Sequence, residues 1–281
     1  MNETLKRTLS GIVYVLLLVI SISYSRESFF LLFGLFLLIA VVEFCNLVSI
    51  SKIFSLALAI ICYASICYLT LNKIPLSRNF DLTLLIAALL ISTKCLLFLF
   101  DFKTTQLSLA SKLAFLFGYI ILPFIIITKI PIGNNGYNPK IIISIFILIW
   151  TNDTFAYIVG KSIGKNKLFA AISPKKTVEG FIGGVLFAIL AGFIISKYYF
   201  VPTDNYPEKS IFIWTITALL VGIFGTIGDL VESKFKRMAD VKDSGNIMPG
   251  HGGILDRFDS VIFVAPFVYL FYQILNYVTF P

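Results

Sequence analysis

"FFLLFGLFLLIAVVEFCNLV", residues 29–48, decides the architecture. The run carries one charge, Glu43, and a helix of about 20 residues is what the roughly 30 Å hydrocarbon core of a bilayer requires. Its apolar character is continuous rather than alternating, which argues against a membrane β-barrel. Working outward, runs of the same kind recur at 9–24, 53–71, 82–100, 110–128, 141–159, 180–199, 211–228 and 260–279. The expected fold is all-α: a polytopic integral membrane helical bundle of about nine transmembrane helices. Composition agrees, with 58% hydrophobic and 14% charged residues where soluble domains carry about a quarter charged. The first run is followed closely by the second and lacks a small-residue cleavage site, so it reads as a span and not as a signal peptide.

The formal net charge is +8, but in such a chain basic residues report orientation before they report nucleic acid, which is not expected as a partner. Alternate loops share a side of the membrane. One side collects 15 of the 23 lysines and arginines and the other 7, with Lys94 inside a span. The amino terminus and the two polar loops are therefore expected in the cytoplasm and the carboxyl terminus outside. The setting expected is a bacterial inner (cytoplasmic) membrane. Cys45, Cys62, Cys67 and Cys95 fall within spans without a CxxC pair and read as small packing residues.

The chain divides unevenly. Residues 1–128 are spans and short turns, expected to serve as scaffold, lipid access or oligomer contact. Residues 141–281 carry the chemistry, with cytoplasmic segments at 160–179 and 229–259. Small residues at Gly160 and Gly164, Gly180 and Gly184, Ala188 and Gly192, and Ala218, Gly222 and Gly225 are expected to face neighbouring helices.

Against this background "DVKDSGNIMPGHGGILDRFDS" (240–260) is costly. The helix leaving the eighth span is expected to place Asp229, Ser233, Lys236 or Arg237, and Asp240 on one face, because they recur every three or four residues. Gly250, Gly252 and Gly253 around His251 let the backbone approach a ligand. Asp256 and Asp259 then stand at the head of the ninth span with Arg257 between them. Carboxylates from two helices thus reach one membrane boundary, and Asp229 with Asp256 suits Mg²⁺ when phosphates complete its shell. Lys236, Arg237, Lys242 and Arg257 are placed to neutralise those phosphates. That combination points to phosphoryl or nucleotidyl transfer.

In the other polar segment Ser173-Pro174 reads as a helix start, so that Lys175 and Lys176 lie at an anion-binding amino terminus. Asp153, within the sixth span, is costly there and reads as functional. Glu43 and Lys94 read as a structural ion pair.

The run "ESKFKRMADVKDSGNIMPGHGGILDRFDS" (232–260) resembles the signature of the phosphatidate cytidylyltransferase (CDP-diacylglycerol synthase) family. That pattern is Ser-x-x-Lys-Arg, Lys-Asp, Pro-Gly-His-Gly-Gly and Asp-Arg-x-Asp. Ser233, Lys236, Arg237, Lys242, Asp243, Pro249 through Gly253, Asp256, Arg257 and Asp259 all match it. "WTNDTFAYIVGKSIGK" (150–165) and "SPKKTVEG" (173–180) are similar to the family too, whereas the first 128 residues match only in being apolar spans. The resemblance implies transfer of the cytidylyl group of CTP to phosphatidate, with CDP-diacylglycerol and pyrophosphate as products and Mg²⁺ as cofactor. It implies Asp229 and Asp256 as metal carboxylates with Asp259 beside them, and Lys236 and Arg237 in the catalytic set. Ser233, Lys242, Asp243, Gly250, His251, Gly252, Gly253, Arg257, Asp153, Lys175, Lys176 and Thr177 are the residues expected to meet substrate, His251 through phosphate or nucleotide contact rather than obligatory proton transfer. The partners expected are CTP, phosphatidate and the lipid bilayer; a second cation and a homodimer remain open. The rivals are a CTP-dependent lipid kinase, distinguished by its products, and a transporter, whose polar groups would sit near the midplane rather than at one edge.

Overall fold

With no water in hydrocarbon to satisfy backbone amides, each apolar run must close its own hydrogen bonds as helix. The computed structural model of the protein describes residues 3–72, 74, 77–102, 106–133, 136–200 and 207–279; Lys73 and Lys103, used above for orientation, lie outside them. The helices are α1 (Glu3–Tyr24), α2 (Arg26–Val48), α3 (Lys52–Leu71), α4 (Arg78–Phe100) and α5 (Leu109–Lys129). They continue with α6 (Pro139–Ile163), α7 (Val178–Tyr199), α8 (Pro207–Met238) and α9 (Leu255–Thr279). All nine are long and apolar enough to cross a membrane, among the described residues, and they coincide with the nine apolar runs. Side-chain caps start several of them: Ser25 forms a reciprocal box with Ser28, Ser77 accepts from Phe80 N, and Asn138 accepts from Lys140 N ahead of Pro139. Within α5, residues Leu116–Ile121 widen into a π-helical segment where Gly118 lies against Ile91.

Two short hairpins interrupt the helical order. The first pairs β1 (Ile132–Gly133) with β2 (Gly136–Tyr137), and the second β3 (Lys167–Phe169) with β4 (Ser173–Thr177). The second corrects the reading of Ser173-Pro174 as a helix start. Thr177 is the true cap, its hydroxyl accepting from Gly180 N at 3.1 Å, so α7 begins four residues later and Lys175 and Lys176 lie on a strand. A second correction concerns Asp240. Helix α8 ends in a Schellman turn, with Val241 N to Lys236 O at 2.9 Å and Asp240 N to Arg237 O at 3.1 Å. Asp240 takes the left-handed position at φ 54°, off the face shared by Asp229, Ser233 and Lys236.

Helices α6, α7, α8 and α9 pack in sequence, each against the next. Between α6 and α7 the approach is so close that a β-carbon at Gly180 would meet Ala156 O at 2.6 Å and Gly160 Cα at 3.0 Å. The carboxyl-terminal helices are aimed by two fully buried rings. Phe258 lies among Phe33, Phe36, Phe124 and Phe146, at centroid distances of 5.1–6.0 Å. Phe235 lies among Phe44, Phe98 and Phe115, at 4.7–5.3 Å. Such contacts contribute about 0.5–1.5 kcal/mol each. Because neighbouring helix positions point about 100° apart, anchoring Phe235 fixes where Lys236 points, and anchoring Phe258 does the same for Arg257 and Asp259. Lys234 reinforces this by capping the end of α4, its ammonium on the carbonyls of Phe98 and Asp101.

Candidate active site

Between α8 and α9 the chain turns back on itself, with Met248 N bonded to Gly252 O and His251 N to Met248 O. Gly250 and Gly252 hold φ of 75° and 86°, which side-chain-bearing residues rarely adopt. The turn delivers its amides to carboxylates. Asp256 Oδ2 accepts from Gly253 N at 2.7 Å and from Ser244 N and Oγ, each at 2.9 Å. Its other oxygen accepts from Lys236 Nζ at 2.7 Å. Lys236 also donates to Glu232, one turn back and fully buried, at 2.5 Å. On the adjoining side Asp229 pairs with Lys176 at 2.5 Å and accepts the Ser233 hydroxyl at 3.1 Å. The two polar segments recognised in sequence therefore meet through Lys176 and Asp229. Asp259 lines one cavity with Asp153 and Asp256.

Of these groups, Asp153, Asp256 and Asp259 border a cavity of about 220 Å³. Asp153, Asp256, Arg257, Asp259 and His251 form its polar side, while Tyr14, Val15, Phe146, Ile149 and Trp150 form its apolar side. His251 Nδ1 stands 2.8 Å from Ser10 Oγ, and Arg257 donates to the His251 carbonyl at 2.9 Å. Burial, then the charges of Arg257 and Arg7, hold the imidazole below its ordinary pKa, so it is neutral at neutral pH.

The remaining expected residues divide. Arg237 ties the carbonyls of Ile172 and Val241 and so braces the loops flanking the site. Thr177 spends its hydroxyl on capping α7. Lys175, Lys242 and Asp243 are exposed beside the site. Glu43 is the residue the sequence misdirects. In place of a pair with Lys94, it takes Ile254 N at 3.0 Å, Leu255 N at 2.7 Å and the Ser244 hydroxyl at 3.1 Å. It thereby satisfies the free amides at the start of α9, a stronger claim on a buried carboxylate than a distant ammonium. Lys94 turns instead to Ser111 Oγ and the Phe115 ring. An acid inside an apolar span was the signal for Glu43; its partner was not readable. Ser244, shared between Glu43 and Asp256, and Glu232 carried no signal strong enough to be singled out.

The carboxylates that could hold a divalent cation are Asp229 and Asp256. In this structure both are engaged by lysine, Asp229 with Lys176 and Asp256 with Lys236, and a cation would have to share them. Among the described residues no group of three acidic, histidine or cysteine side chains converges on a metal position, so a cation there would draw on one or two carboxylates and on substrate phosphates.

The chain is also similar to known proteins. The chain is 54% identical over 123 residues to a phosphatidate cytidylyltransferase of Bacillus subtilis (strain 168), covering 44% of each chain. It is 50% identical over 121 residues to one of Staphylococcus aureus (strain COL), covering 43% of this chain and 44% of the relative. A third, from Staphylococcus epidermidis (strain ATCC 12228 / FDA PCI 1200), is 46% identical over 127 residues, covering 45% and 46%. In each case the matched stretch is less than half of the relative's length. The cytidylyltransferase family model, by contrast, matches residues 5–275, taking in α1 and Glu43 as well as the loop before α9. With that match running through both halves that build the site, the chain belongs to the cytidylyltransferase family.

Proposed function

We propose that the protein transfers the cytidylyl group of CTP to phosphatidate, forming CDP-diacylglycerol and pyrophosphate. The observation that carries this reading is the set of carboxylates on α6, α8 and α9 that meets Lys176, Lys236 and Arg257 at one end of the bundle, beside a cavity with one polar and one apolar wall. The names of the three relatives supply the substrate. A phosphate oxygen of phosphatidate would attack the α-phosphorus of CTP, and the bond to the β-phosphate would break with pyrophosphate leaving. That nucleophile has a second pKa of about 6 and is already ionised at neutral pH, so no general base is demanded. What must be overcome is repulsion between two polyanions.

Each charged side chain has a part in this. Lys176, paired with Asp229, and Arg257, on the cavity wall, meet the phosphates. Lys236 balances the buried acids and keeps Asp256 aimed. Lys175 on β4, Arg237 at the end of α8 and Lys242 on the loop after it add positive field. His251, neutral and on the cavity wall, contacts phosphate or base without proton transfer. Asp229 and Asp256 would hold Mg²⁺, which would supply charge neutralisation to the phosphate oxygens. The sided lysines and arginines support placing the amino terminus and this site in the cytoplasm, the enzyme being in a bacterial inner membrane. On this reading residues 141–281 are the catalytic region and 1–128 its support.

Purified protein supplied with CTP, phosphatidate and Mg²⁺ should release CDP-lipid and pyrophosphate in equal amounts. CDP together with a doubly phosphorylated lipid would indicate a kinase instead, and absence of both expected products would refute the proposal.

A further inference from the structure

We infer that Glu232 is a positioning residue: it holds the Lys236 ammonium so that Asp256 can give an oxygen to a cation. This rests on the reading of Asp256 as a carboxylate that takes one. Glu232 is fully buried, and a buried carboxylate is strongly unfavourable unless it is paired. Its pairing is narrow. One oxygen takes Lys236 Nζ at 2.5 Å, and among the described residues the other has no hydrogen-bond partner. The reaction as proposed gives this acid no part, and Lys236 already has a carboxylate in Asp256, at 2.7 Å. A second acid on the same ammonium needs a reason.

The reason lies in how the oxygens of Asp256 are divided. Oδ2 is occupied by three donors from the loop before α9, namely Gly253 N, Ser244 N and Ser244 Oγ. Oδ1 takes Lys236, so it is the oxygen left for a cation, and a cation there must share or displace the ammonium. Released from Asp256, a lysine whose side chain is 11% exposed would lose its charge partner in a poorly hydrated place. Glu232 prevents that loss. It lies one turn back on the same helix, a spacing that keeps the two side chains neighbours whatever happens on α9. Phe235, seated among Phe44, Phe98 and Phe115, fixes the direction of that face. Lys236 therefore has one partner that stays and one that it can relinquish. Glutamine in place of Glu232 would leave the ammonium, among the described residues, to Asp256 alone, and a cation would compete with an undivided ion pair.

Glu232 also carries a charge of its own, which would attract a cation without any help from Lys236. The two roles separate when the lysine is removed. A direct field survives in a Lys236→Met background, whereas positioning of the ammonium does not.

Mn²⁺ alone, titrated into purified protein and followed by electron paramagnetic resonance, reads cation binding without turnover. Glu232→Gln should raise the Kd for Mn²⁺ about tenfold, the scale expected when support behind a metal carboxylate is lost. In the Lys236→Met background the same substitution should change that Kd less than about twofold. An unchanged Kd in the single variant, or an equal loss in the Lys236→Met background, would overturn the inference. Wild-type protein supplies a test that does not depend on the folding of a variant. In its Mn²⁺-loaded structure the ion should lie on Asp256, with Lys236 still on Glu232 and drawn off Asp256 Oδ1. An ion seated away from Asp256, or a lysine that leaves Glu232 or keeps its bond to Oδ1, would overturn it. Wild-type protein that meets these expectations yet forms no CDP-lipid would instead refute the proposed reaction and leave the role of Glu232 standing.

Discussion

The two halves of the chain differ in what they show and agree in what they build. The carboxyl-terminal half, 141–281, carries acids, bases and glycines in patterns that announce phosphate chemistry. The amino-terminal half, 1–128, is nearly featureless grease. Yet Glu43 from α2 holds the loop that holds Asp256, and Ser10 from α1 stands against His251. Reactive groups can be concentrated in one region, but their geometry is imposed by buried contacts from another. In hydrocarbon an unsatisfied loop amide is especially costly, so the buried acceptor that satisfies it can lie far away in sequence.

The largest effect tests the reactive half. Asp256→Asn should lower kcat by about 10²–10³, because it removes charge where cationic and phosphate groups converge. Gel filtration in detergent should still give a monodisperse peak; loss of that peak would mean that Asp256 serves mainly to fold the loop.

Glu43→Gln sharpens the contrast, since it changes a residue of the supporting half that acts on the reactive one. The carboxylate accepts three donors, and an amide presents an NH₂ group to one side of that cluster. We expect kcat to fall about tenfold, with KM for CTP nearly constant and a higher Mg²⁺ concentration needed for half-maximal rate, as befits a residue acting through Asp256. Unchanged kcat and Mg²⁺ dependence would confine Glu43 to scaffold. A defect repaired fully by Glu43→Asp, whose carboxylate is one methylene shorter, would show that reach across the halves does not matter.

The smallest effect is in pH. The His251 pKa is lowered, so the native state favours the neutral ring. Its contribution to stability is complete above the unfolded value of about 6.5 and declines as pH falls below that value and through the lowered native one. Thermal stability of wild type and of His251→Gln should run parallel above about pH 6.5 and converge or cross only below it. A difference that grows between pH 7 and 8 would contradict the environment assigned to this ring.

Much of this was legible in the residues. Continuous apolar runs gave the helices their number and nearly their ends, because length and hydropathy are local properties that the bilayer reads directly. The motif from Ser233 to Asp259 was legible because helical spacing and glycine turns fix neighbours a few residues apart. Local reading failed where two local solutions competed. Pro174 suits a helix start, but Thr177 supplies the cap and the strand pairing with Lys167–Phe169 takes Ser173–Thr177. Asp240 continues the helical spacing, but the Schellman turn ends α8 before it.

By itself, then, the sequence determined that this is a bundle of about nine membrane helices and that acids and bases gather at one boundary. Tertiary structure alone decided that Lys176 reaches Asp229, that Lys236 lies between Glu232 and Asp256, and that Glu43 grips the head of α9 rather than Lys94. The reason is physical: a buried charge takes whichever partner helix packing brings within hydrogen-bonding distance, and that distance depends on rings such as Phe235 and Phe258 seating among residues more than a hundred positions away.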